Sequence, residues 1–64
     1  MTEQQARRLR PGDRVRWCGE KGTVTRVHKA GDERGISCDG VTIRWDDGLT
    51  AIRYLTELDT TERA

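Results

Sequence analysis

Between Val41 and Trp45 the apolar residues Val41, Ile43 and Trp45 alternate with Thr42 and Arg44, the period of a strand with one buried face. Asp47-Gly48 ends the run. An Asp-Gly pair between two strand-like segments predicts a type I′ hairpin turn, in which both central residues need positive φ, and a returning strand from Leu49 to Arg53. Upstream, Pro11-Gly12-Asp13 is a turn signal ahead of a strand from Arg14 to Cys18, with Val15 and Trp17 on the face that points to the core. Gly19-Glu20-Lys21-Gly22 then predicts a loop into a second strand, Thr23 to His28. Within that strand Val24 and Val27 fall three apart, which breaks the alternation and predicts a β-bulge.

The remaining segments are shorter. Ala30 to Gly35 is a charged loop, Ile36-Ser37-Cys38 a brief strand, and Asp39-Gly40 a second hairpin-type turn. Tyr54-Leu55-Thr56 is too short for an α-helix and predicts a single 3₁₀ turn, followed by a last strand at Glu57-Leu58-Asp59. Residues 1–9 offer only Ala6 and Leu9 for burial, so they are expected to form a flexible arm made basic by Arg7, Arg8 and Arg10, and residues 60–64 a disordered tail. The expected architecture is all-β: about five short antiparallel strands, over residues 10–59, curling into a small barrel that hides its edges.

A chain of 64 residues buries only about 60% of its unfolded surface, so the core must be compact. Charged residues, at 36%, outnumber hydrophobic ones at 33%, but the apolar positions cluster in alternating runs, which favours folding over disorder. No apolar run approaches the roughly 18 residues of a membrane span, and no secretory leader stands at the start. A single cytoplasmic domain without membrane contact is expected. Cys18 and Cys38 are too few and too far apart for a disulfide framework or a paired zinc motif, and both are expected to be reduced. The net charge of +1 conceals an asymmetry: residues 1–29 carry eight basic against three acidic side chains, +5, and residues 30–64 carry four against eight, −4.

PGDRVRW, GTVTRV and VTIRWDDG, with the Tyr54-Leu55 segment, resemble SH3-like small barrels over roughly residues 10 to 59. The pattern is similar to small bacterial and phage-borne domains with a GDRV…GTV…VxWDxG signature. More loosely it is similar to KOW domains, through Gly22-Thr23-Val24, and to mind-bomb-type domains, through Val41 to Gly48. The resemblance implies a fold more than a function, because such barrels host nucleic-acid binders, peptide binders, methyl-lysine readers and adaptors.

The candidate binding residues are five arginines and two aromatics. Arg14, Arg16, Arg26, Arg44 and Arg53 lie on polar strand positions and would merge into a basic stripe able to meet a phosphate backbone; the competing outcome is cross-strand pairing with Asp13, Glu20, Asp46 or Glu57. Trp45 is in register with the core, Trp17 sits at a strand end where its ring can reach the rim, and Tyr54 occupies the turn that SH3-like folds use in their groove. Three aromatics are too few for a methyl-lysine cage around one cation. His28 is the sole histidine, and no phosphate loop, nucleotide fingerprint, paired-carboxylate motif or metal motif stands out, so no catalytic residue, metal or cofactor is assigned. A plasmid-borne dihydrofolate reductase shares the barrel type, but the chain has no counterpart of its pore motif. The expected function is a non-catalytic protein-interaction adaptor, monomeric or weakly oligomeric, with DNA or RNA binding through the basic face of the first two strands as the alternative.

Overall fold

The structure is a computed structural model and describes residues 1–31 and 39–64. Its strands are β1 (Arg14–Trp17), β2 (Glu20–His28), β3 (Gly40–Trp45), β4 (Thr50–Tyr54) and β5 (Glu62–Arg63), preceded by a one-turn helix, α1 (Glu3–Ala6). A 3₁₀ turn at Leu55–Glu57 stands before the last strand, one residue from its predicted position. All five strands are antiparallel and form one sheet in the order β4-β3-β2-β1-β5. The all-β class therefore holds, but the hydrogen-bonded ladder does not close into a barrel. Other elements cover the apolar face instead: Ala6 and Leu9 from the N-terminal segment, and Leu55 and Leu58 around the 3₁₀ turn, join Val15, Val24, Val41, Ile43 and Trp45 in one buried cluster. Complete burial of a Val, Leu or Ile side chain stabilises by about 1.5–3 kcal/mol.

The β1–β2 connection is tighter than the glycine spacing predicts. Trp17 pairs with Glu20, leaving only Cys18 and Gly19 in the turn, at φ 50° and 79°, the double positive φ of a two-residue hairpin. Gly22 is thereby released from the loop into β2. It has to be glycine there: a Cβ would lie 2.7 Å from Ile43 Cγ2 and 2.8 Å from Trp45 Cε3. The β3–β4 turn also differs. Gly48 alone has positive φ, at 95°; its N–H donates to the Trp45 carbonyl at 2.9 Å while the Trp45 N–H donates to Leu49 at 2.7 Å. Asp46-Asp47-Gly48 is thus a three-residue loop whose glycine takes the left-handed position. Gly40 is the first residue of β3, paired with Tyr54, and not part of a turn; glycine fits there because a Cβ would stand 2.7 Å from the Arg53 carbonyl oxygen. The strand predicted at Ile36–Cys38, and most of the loop before it, lie outside the described residues.

The predicted bulge is present. Val24 pairs with Ile43 and Arg26 with Thr42, leaving Thr25 as the extra residue. Both chain ends depart from expectation. Thr2 caps α1, accepting from the Gln5 N–H at 3.1 Å while the Gln5 side chain accepts from the Thr2 N–H at 2.8 Å, and Ala6 and Leu9 are buried. The Met1 ammonium donates to the carbonyls of Leu58, Asp59 and Thr61, so the first nine residues pack against the end of the chain instead of extending as an arm. The last strand is Glu62–Arg63 and not Glu57–Asp59: Leu58 is needed in the core, and the chain reaches β1 only after Thr61, also buried. Val15 then pairs with Arg63 and Arg16 with Glu62, so residues 60–64 include a strand where a disordered tail is predicted.

Gly22→Ala should lower stability by about 1–3 kcal/mol through overpacking against Ile43 and Trp45, read as a lower urea midpoint with an unchanged slope. Leu58→Ala should lower it by about 2–5 kcal/mol, a loss that a loosely attached C-terminal segment would not show.

Candidate functional site

The register sorts the predicted binding residues onto two faces. Arg14 pairs across the sheet with Thr23, Thr23 with Arg44 and Arg44 with Thr50, so these share the face away from the core; Arg26, Thr42 and Ile52 form the next row on it. Arg16, two residues from Arg14, belongs to the same face and lies beside Lys21 and Glu62. Arg53 does not join them. It pairs with buried Val41, which places it on the core side of the edge strand, so the five arginines do not form one stripe.

Arg14 and Arg16, on the outer face, are each held by a carboxylate of the chain. Arg14 grips Asp46 with two hydrogen bonds, Nη1 to Oδ1 at 2.9 Å and Nη2 to Oδ2 at 2.8 Å, and donates to Thr23 Oγ1 at 2.7 Å. Arg16 donates to Glu62 at 2.8 Å across the β1–β5 pair. These bonds hold the Asp46 and Glu62 carboxyls below the usual carboxylate range, the hydrogen bond from the arginine being the leading cause in each case. Asp39 is lowered too, first by the Ala30 N–H at 2.9 Å and then by Arg7 at 2.6 Å. Arg44 is exposed, and among the described residues neither Arg44 nor Arg53 forms an ion pair with a carboxylate.

The aromatics divide by depth. Trp45 is 7% exposed and belongs to the core. Trp17 follows Val15 on the same face but ends its strand at the rim, 39% exposed, with its ring centroid 6.1 Å from that of Trp45 and its indole N–H donating to Thr60 Oγ1 at 3.2 Å. Tyr54 is half-buried at the end of β4, opposite Gly40. His28 is buried and hydrogen-bonded to Thr42 Oγ1 at 2.5 Å, at the far end of β2 from the exposed Cys18. Among the described residues no three His, Cys, Asp or Glu side chains come together as a metal would need, and no helix is long and apolar enough to cross a membrane.

The surface that residue-by-residue inspection of the sequence passes over is the outer edge of β4. Trp45 donates to Leu49 and Leu55 donates to Asp39 at 3.0 Å, so by antiparallel alternation residues 51 and 53 turn their backbone groups to β3, while Thr50, Ile52 and Tyr54 turn theirs outward. The Tyr54 N–H is taken by the Glu57 carboxylate at 3.0 Å, and the Ile52 carbonyl accepts from Arg53 Nη1 at 3.2 Å. Along this edge Leu49 is 67% and Ile52 48% exposed. The signal in the sequence is the adjacent pair Ala51-Ile52, which period two cannot bury together. The opposite edge is different, since β5 covers β1 and Arg63 pairs with Asp13 at 3.1 Å.

No family model, curated protein or solved structure matches this chain.

Because the Asp46, Glu62 and Asp39 carboxyls titrate below their unfolded values, their contribution to stability is complete above about pH 4–5 and is lost as pH falls through the lower folded values. Urea midpoints between about pH 6 and 2 should fall with acidification. Asp46→Asn, which removes one of the three carboxyls, should make that fall shallower.

Proposed function

We propose that this chain is a small non-catalytic protein-interaction module of the cytoplasm, of the SH3-like kind its sequence resembles, and that it docks partners along β4. The observation that carries this reading is the asymmetry of the sheet: the β1 edge is covered by β5 and its ion pairs, while β4 presents outward backbone groups beside exposed Leu49 and Ile52. Strand edges of this kind are usually covered or charged, because open hydrogen-bonding groups invite pairing with another chain. Tyr54 closes one end of the edge and the Asp46-Asp47-Gly48 loop the other.

Nucleic-acid binding is the second reading. In its favour, Arg14, Arg16, Arg26 and Arg44 occupy one face across three strands. Against it, Arg14 and Arg16 would have to release Asp46 and Glu62 before meeting a phosphate.

A photo-crosslinking residue placed at Ile52 in the native cell should yield discrete protein adducts, and the same residue at Arg16 should not. Titration of the labelled chain with a mixed DNA and RNA pool at low salt should leave the Arg26 and Arg44 amides unmoved. Salt-sensitive shifts of those amides, without adducts at position 52, would replace the protein reading with the nucleic-acid one.

A further inference from the structure

Resting on that interaction reading, we infer the chemistry of the partner: an extended protein segment that adds to β4 as a sixth strand and brings two carboxylates, three residues apart, to Arg53 and Arg44. The backbone supplies the first half of the argument. Thr50 turns both its N–H and its carbonyl outward, and Ile52 its N–H; the Ile52 carbonyl is covered only by the guanidinium of Arg53, the residue beside it. An incoming strand displaces that guanidinium from the carbonyl and satisfies the row of edge groups in one step. Arg53 is then left without its acceptor.

Charge supplies the second half. The carboxylates bordering the edge are committed: Asp46 to Arg14, Asp47 to the Leu49 N–H at 3.0 Å, and Glu57 to the Tyr54 N–H. The cations are not committed to carboxylates, since among the described residues neither Arg53 nor Arg44 has one. Arg53 lies on the core side of β4, and Arg44 stands beside Thr50 on the outer side, one strand in. In antiparallel pairing a partner residue opposite Arg53 and another opposite Thr50 are three positions apart and point to opposite faces. The first carboxylate meets Arg53 directly. The second meets Arg44 across two strand spacings, about 10 Å, a gap filled by the two long side chains. Between them, the partner residue opposite Ile52 shares the outer face with that half-exposed side chain and is apolar. The recognised pattern is acid, apolar, any residue, acid.

The test uses the labelled full chain and two blocked peptides, Thr-Glu-Val-Thr-Glu-Thr and its charge-reversed counterpart Thr-Lys-Val-Thr-Lys-Thr, each titrated to millimolar concentration. The glutamate peptide is expected to shift the Thr50 and Ile52 amides saturably and slow their hydrogen exchange, and the lysine peptide to bind at least about tenfold more weakly. Ile52→Pro deletes an N–H that points away from β3, a substitution edge strands tolerate, and should abolish binding while the dispersed spectrum is retained. A double substitution at exposed or half-exposed sites, Arg44→Glu with Arg53→Glu, should reverse the peptide preference even if the proline variant does not fold.

Glutamate-peptide shifts that survive in a folded Ile52→Pro variant would overturn the proposal, as would equal binding of both peptides. Shifts of Thr50 and Ile52 that depend on protein concentration without peptide would assign the edge to a second copy and overturn it too. If neither peptide binds while crosslinking at position 52 still captures protein, the acidic-strand chemistry is wrong and the interaction reading stands. If both fail, the interaction reading falls with it.

Discussion

The structure rests on a side chain that is absent. Gly22 leaves the space over β2 into which the Trp45 ring and the Ile43 methyl settle, and an added Cβ would stand under 3 Å from both. The contact has consequences beyond the core. Trp45, once seated, is the surface against which Trp17 tilts, at 44° between ring planes, and Trp17 in turn donates to Thr60 at the point where the chain comes back toward β1. The covering of the β1 edge by β5 therefore traces to close packing on the opposite side of β2. With nine buried hydrophobic residues among those described, one misplaced methyl is felt through the whole assembly.

The two chain ends are solved together. Neither Glu3–Ala6 nor Glu62–Arg63 is long enough to persist alone, since a single helical turn is unstable in water and two residues make a minimal strand. Each supplies the surface the other needs: Met1 bonds to carbonyls at residues 58, 59 and 61, and Arg63 reaches Asp13 and the Arg8 carbonyl. This mutual support covers the β1 side of the sheet and, among the described residues, leaves β4 as the strand without a neighbour on its outer side. The open edge at β4 is thus a product of where the termini fold, and not of β4 alone.

Much of this was legible in the residues. The alternation from Val41 to Trp45, the core position of Trp45, the 3₁₀ turn and the bulge all follow from short-range spacing, and the structure contains each of them. Elements set by distant contacts were not legible. Glycine at position 22 reads locally as a loop residue, because the rings that demand it lie some twenty residues away in the chain. Ala6 and Leu9 are visible as the only apolar residues of the arm, yet nothing nearby in sequence says that Leu55 and Leu58 will receive them. For the site, the pairing of Arg14 with Asp46 was foreseeable as one of several cross-strand options, whereas the displacement of Arg53 to the other face depends on the register of β4.

The bulge at Thr25 does more than bend a strand. Upstream of it Gly22 and Val24 face the core on even-numbered positions; downstream it is the odd-numbered Val27, itself 40% exposed, that stands opposite buried Val41, while Arg26 pairs with Thr42 and the buried His28 bonds to Thr42 Oγ1. Thr25 acts as a phase shifter, letting one strand carry two incompatible reading frames of inside and outside. Were Thr25 to pair with Thr42 in a regular ladder, Arg26 would take the place opposite Val41 and Val27 would turn away from it, whereas removing Thr25 outright would leave Val24, Arg26 and Val27 opposite Ile43, Thr42 and Val41 as they stand.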